Sequence, residues 1–123
     1  MRQLMMLFEV IHKILRYRKK GEKGKALDQI NYFYECLKID DDIQVMNIEE
    51  LLHFLEKTKK LSNEQIEMVA FVLKEQGELA EIEKQKTDYF HKSYFLLEKV
   101  ERESISFSMD RQMKLAELKA YLN

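Results

Sequence analysis

The sequence predicts an all-α fold, an array of about six antiparallel helices in one domain. Three observations carry that prediction. The 123 residues contain no proline and only three glycines, so almost nothing interrupts a helix. Apolar residues recur at spacings of three and four along most of the chain. With 46% hydrophobic and 35% charged residues, the chain can bury a core and keep a solvated surface.

The elements follow in order. Leu4, Leu7, Phe8, Ile11, Ile14 and Leu15 share one face, which predicts an amphipathic helix over 3–20. It closes on Arg16, Arg18, Lys19 and Lys20, where a helix favours cations, and then on Gly21. A second helix over 24–38 buries Ala26, Leu27, Ile30, Phe33, Tyr34 and Leu37. KIDDDIQVMN reads as a loop, and Asn47 as the cap of a short third helix with Ile48, Leu51, Leu52 and Leu55 inward. Ser62 and Gln65 stand at capping-box spacing, with Leu61 and Ile66 as a hydrophobic staple. The fourth helix is expected to reach Lys84, with KQKTD as a break before a fifth over 87–103. Ser106 or Ser108 starts a sixth, ending near Leu122.

RYRKKGEKGKALDQI invites a phosphate-loop reading, which its spacing refuses. Only two residues separate Gly21 from Gly24, Ala26 stands where a hydroxyl is needed, and a helix precedes in place of a strand. The stretch is a helix–turn–helix corner. Gly21, Ala26, Leu27, Ile30 and Phe33 resemble the way tetratricopeptide-like repeats turn from their first helix into their second. Residues 84–100 echo this loosely, with no glycine or alanine in the equivalent places. RQLMMLFEVIHKIL, GEKGKALDQINYFYECL, LSNEQIEMVAFVLKEQGEL and FSMDRQMKLAEL together are similar to a family of small bacterial proteins of unknown function with such helices. That resemblance implies the fold and a bacterial, cytoplasmic setting. It brings no catalytic residues.

Charge narrows the partners. The net charge of −1 argues against a general nucleic-acid binder. Its distribution is uneven: residues 1–39 hold nine positive and four negative charges, and residues 40–56 hold six negative and none positive. The basic run 16–25 has Tyr17 but no aromatic interleaving, and Glu22 sits inside it, so phosphate contact is the lesser reading. A lone cysteine, Cys36, leaves no internal disulfide and fits a reducing compartment. LMMLFEVIHKIL is broken by Glu9, His12 and Lys13, so neither a signal peptide nor a membrane span is expected.

Two Glu-x-x-His pairs, Glu9 with His12 and Glu50 with His53, raise the chemistry of helical bundles that hold two metal ions. On helical wheels all four side chains point away from the apolar stripes, so no metal or other cofactor is expected. DDDIQVMNIEE lacks the glycine and alternating ligands of a calcium loop. No activated nucleophile emerges, and the chain reads as no enzyme.

The chain has more apolar surface than one core requires. The fourth helix has two apolar arcs, Ile66, Val69, Ala70, Leu73, Gly77 and Ala80 against Met68, Phe71, Val72, Leu79 and Ile82, which marks it as the central helix. Glu75 falls inside the second arc and must either reach solvent or line a groove. Tyr32, Cys36 and Ile39 line the far side of the second helix, and Phe95 stands outward on the fifth near Arg102. These six residues are the candidate interface of a non-catalytic adaptor that binds a protein or peptide, or a second copy of itself.

Overall fold

The computed structural model describes residues 2–123, and among them the all-α expectation holds, with six helices and no strand. Helix α1 (Arg2–Lys19) ends where Gly21 takes a φ of +77°, a conformation that only glycine adopts without steric cost. The Glu22 N–H then donates to the Tyr17 carbonyl at 2.9 Å, closing the helix end and aiming the chain into α2 (Lys23–Cys36). A 3₁₀ turn, Ile43–Val45, interrupts the acidic loop. Asn47 and Glu50 form a capping box that opens α3 (Ile48–His53), whose ladder widens to π spacing over Phe54–Thr58. Ser62 and Gln65 form a second capping box ahead of α4 (Asn63–Leu79). Helix α5 runs Glu83–Glu103, and Ser108 caps α6 (Met109–Leu122).

The helices pair as two antiparallel hairpins, α1 with α2 and α4 with α5. Helix α1 lies along α4 in the same direction, since Gln3 meets Gln65 at one end and Arg18 meets Glu75 at the other. Helix α6 seats on the α4–α5 hairpin through Arg111, which bonds Glu67 on one side and Glu101 on the other, both at 2.6 Å. The segment after α3 is tied to α5 by Lys99, whose Nζ lies 2.6 Å from Glu56. Helix α4 is the hub. Ile66 through Leu73 are buried except for Glu67, so both of its apolar arcs are covered. No helix is long and apolar enough to cross a membrane.

Several boundaries and faces differ from expectation, each for a physical reason. Helix α4 stops at Leu79 rather than near Lys84, and KQKTD is helical within α5. Ala80 turns extended (ψ 135°), because the chain must reverse there to lay Phe90 against Gly77. Ile82 leaves the expected arc and is 58% exposed. Phe8 and Leu27, both assigned to the core, are 41% exposed. The seam of the first hairpin runs through Leu7, Val10, Ile14, Ala26, Ile30 and Phe33 instead, because α1 is covered from two directions and α2 only from one.

Two candidate interface residues also move. Ile39 is buried, not aligned with Tyr32 on the far side of α2. The helix ends at Cys36, Lys38 takes a φ of 56°, and the Ile39 N–H folds back onto the Tyr34 carbonyl at 2.9 Å, which turns Ile39 inward. Phe95 is half-buried and packed on the core. Lys99, one turn further along the same face, meets Glu56, so this face is turned toward the segment after α3.

Gly77 carries the closest approach in the fold. A Cβ there would lie 2.4 Å from the Phe90 ring, which is itself buried and stacked edge-on against Tyr121. Gly77→Ala should therefore destabilise the protein by roughly 1–3 kcal/mol through overpacking, despite alanine's better helix propensity. Gly24, in open space on α2, is the control: Gly24→Ala should stabilise by up to about 1 kcal/mol. Urea denaturation of the two variants checks both signs.

Candidate functional site

Helix α2 packs along α1 and meets the α4–α5 hairpin only sparsely, so a groove stays open between them. It comprises two cavities that share Gln76 and Tyr89. Their volumes are about 390 Å³ and 290 Å³. The larger lies at the C-terminal end of α2, where Glu35, Asp40, Asp41 and Asp42 gather beside Asn31 and Gln44. The smaller runs toward the start of α2 and is bordered by Leu27, Leu79, Ala80 and Ile82. The groove is thus acidic at one end, and at the other it sets aliphatic side chains beside the Lys23–Glu81 ion pair and Gln85.

Its floor is tyrosine and amide. The Tyr34 hydroxyl donates to Gln76 Oε1 at 2.7 Å, which leaves Gln76 its NH₂ and one lone pair of the amide oxygen. Burial pushes the Tyr34 hydroxyl far above its ordinary pKa, with Tyr89 adding to the shift. Tyr89 is raised as well, first by burial and then by Asp42 and Asp88. Both phenols therefore keep their protons at neutral pH and act as hydrogen-bonding groups. None of the four carboxylates at the acidic end joins an ion pair among the described residues. Asp42 has a local duty, accepting the Gln44 N–H at 3.2 Å to cap the 3₁₀ turn. The arrangement suits binding: donors and acceptors in the middle, unpaired negative charge at one end, aliphatic side chains at the other.

The sequence-predicted residues do not converge on one surface. Tyr32 is 44% exposed on the outer side of α2, with its hydroxyl 3.9 Å from Met6 Sδ and Cys36 half-buried one turn on. Arg102 is exposed in a separate hollow between α5 and α6, beside Tyr94. Ile39 does reach the groove, as a buried side chain beneath its exposed acidic end. Glu75 is 3% exposed and both neutralised and walled in. Arg18 Nε lies 2.5 Å from its Oε1, and the carboxylate borders a small cavity of about 120 Å³ with Phe8 and Phe71. Of the other basic side chains of the corner, Arg16, Lys19, Lys20 and Lys25 are exposed, and Lys23 is half-buried and paired with Glu81. Glu9, His12, Glu50 and His53 are all exposed, and Glu50 is occupied in its capping box. Among the described residues no group of three or more His, Cys, Asp or Glu is placed to hold a metal ion.

Sequence reasoning missed the groove because its parts had other duties on paper. Tyr34 and Leu27 were counted as core, and the aspartates as a solvated loop. The available signal was Leu27 and Ile82 together, two aliphatic residues more than the helices can cover. Comparison with known proteins adds no further guide: no family model, no curated protein and no solved structure matches the chain.

The Arg18–Glu75 pair can be tested directly. Arg18→Met leaves a buried carboxylate without its partner, and the loss should be about 3 kcal/mol, at the low end for buried pairs because the Arg18 side chain is 23% exposed. Arg18→Met with Glu75→Met should recover at least half of it, since two apolar side chains need no desolvation repaid. Equilibrium unfolding in urea separates the two variants.

Proposed function

We propose that this chain is a non-catalytic interaction module with tetratricopeptide-like helical hairpins, which docks a segment of a partner protein in the groove between α2 and the α4–α5 hairpin. A bacterial, cytoplasmic setting is part of this reading, on the resemblance of the helical stretches alone. The observation that carries the reading is the pair of adjoining cavities that share Gln76 and Tyr89, built from hydrogen-bonding and charged side chains and leaving aliphatic surface at Leu27 and Ile82 uncovered. Hairpin arrays bury each hairpin on one side only, and the uncovered concave side is where they take peptides.

Selection of peptides displayed on phage tests this. Peptides selected on the wild-type protein should lose roughly tenfold in affinity, about 1.4 kcal/mol, on a variant with Leu27→Arg and Asn31→Arg filling the groove. They should keep their affinity for Tyr32→Ser, on the opposite side of α2. Failure to select any peptide sensitive to the groove variant would end the reading.

A second reading rests on its own observation. Tyr32 and Met6 form an exposed patch on the outer side of α2, a helix flanked by the basic corner of Lys19, Lys20 and Lys25 at its start and by Glu35 and Asp40 at its end. Two copies laid antiparallel would match these ends, so the reading is a homodimer related by a two-fold axis. Light scattering at tens of micromolar should then show a dimer that weakens with salt and is lost in Tyr32→Glu. A wild-type protein that scatters as a monomer rules the dimer out.

A further inference from the structure

We infer that the segment bound in the groove is an extended strand carrying a lysine or arginine and an aliphatic side chain four residues apart. The inference rests on the docking reading above and adds the chemistry of the occupant. Glu35, Asp40, Asp41 and Asp42 concentrate negative charge at one end with no cation of this chain paired to them among the described residues, so the complementary group is a cation. Lys23, the one cation among the described residues that line the groove, and Lys92, bonded to the groove's Gln44, are both engaged in ion pairs. Lys92, 2% exposed, donates to the Gln44 carbonyl at 2.6 Å and pairs with Asp88 at 2.7 Å. Lys23, at the far end, pairs with Glu81 at 2.8 Å.

The middle of the groove decides the backbone. Gln76 and Tyr89 line both cavities, and Asn31 and Gln44 continue toward the acidic end, so amides and a phenol border the path between the ends. A helix satisfies its own N–H and C=O groups and has no use for these, whereas an extended strand brings unpaired ones. The ends decide the spacing. Leu27 and Glu35 are eight residues apart on α2, a rise of about 12 Å. In an extended strand, residues i and i+4 project to the same side about 13 Å apart. A cation among the aspartates therefore sets an aliphatic side chain against Leu27, Leu79 and Ile82.

Defined probes decide it: the acetylated, amidated peptide Gly-Lys-Ala-Ser-Ala-Leu-Gly carrying a fluorophore, a version with Glu for Lys, one with Ser for Leu, and one with Leu directly after Lys. Fluorescence anisotropy against the full chain should rank the parent peptide first, with the Glu version about tenfold weaker and the other two severalfold weaker. Asp40 and Asp41 are exposed and unpaired, so Asp40→Lys with Asp41→Lys should leave the fold intact and reverse the order of the Lys and Glu peptides. Ile82→Ser should erase the advantage of Leu over Ser. Equal binding of the Lys and Glu peptides, or no reversal on the charge-swapped variant, overturns the inference. Phage-selected peptides that need the groove but carry no cation would also overturn it while leaving the docking reading in place. A wild-type chain that is dimeric by light scattering and becomes monomeric with Leu27→Arg and Asn31→Arg, showing a second copy as the occupant, would overturn it too.

Discussion

Everything in this fold answers to α4, a helix buried on both of its apolar arcs. A helix so largely buried must still carry polar residues, and most of those it carries are answered by a particular neighbour. Gln65 meets Gln3 and Glu75 meets Arg18, which places α1. Asn63 accepts from Lys99 at 2.7 Å, and the Ala70 carbonyl accepts from the Ser93 hydroxyl at 2.7 Å, which places α5. Glu67 pairs with Arg111, and Lys74 pairs with Glu117 at 2.9 Å, which places α6. Apolar packing is tolerant of sliding, and polar pairs in a desolvated seam are not. Among the described residues no buried side-chain polar atom is left without a partner. Burial of α4 supplies the driving force, and its polar residues set the register.

The groove is a consequence of the same arrangement. With α1, α5 and α6 occupying α4, only Gln76 remains to meet α2, through Tyr34. Helix α2 is consequently an edge helix, held by α1 along one side and across the gap by two polar contacts, Tyr34 with Gln76 and Lys23 with Glu81. The chain then leaves α2 through Lys38 in a left-handed conformation, which costs a non-glycine residue about 1–2 kcal/mol. That turn sends Ile39 into the core and throws Asp40, Asp41 and Asp42 to the mouth of the gap. Edge position makes the groove, and the helix end charges it.

Charged residues divide into two populations with different physical roles. Lys74, Lys92, Lys99 and Arg111 are nearly inaccessible, yet each ammonium or guanidinium reaches carboxylates at the boundary with solvent. Their alkyl stems serve as core and their heads as ties between helices. Arg111 and Lys99 both keep raised pKa values, because their carboxylate partners outweigh the desolvation that opposes the charge. The second population, the aspartates of 40–42 with Arg16, Lys19 and Lys20, is solvated and is available to something outside the chain.

Helix content, the capping boxes at Asn47 and Ser62, the Gly21 corner and the centrality of α4 were legible in the sequence. Each depends on residues within one or two turns of each other, or on the period of a single helix. The sequence did not reveal where α4 would stop, because Leu79 to Glu83 contains no helix breaker and the reversal is imposed by Phe90 settling on Gly77. Nor did it show that Leu27 would be left half in solvent while Ile39 went inside. A helical wheel finds an apolar face but cannot say how much of it a neighbour covers, and its period ends wherever the backbone leaves the helix. Glu75 is the clearest case. Its place within an apolar arc was visible from spacing alone, while its neutralisation depended on Arg18, 57 residues away in the chain. Local chemistry determined the helices. Which faces met, and the groove left where two of them did not, was decided only by the competition of all the helices for α4.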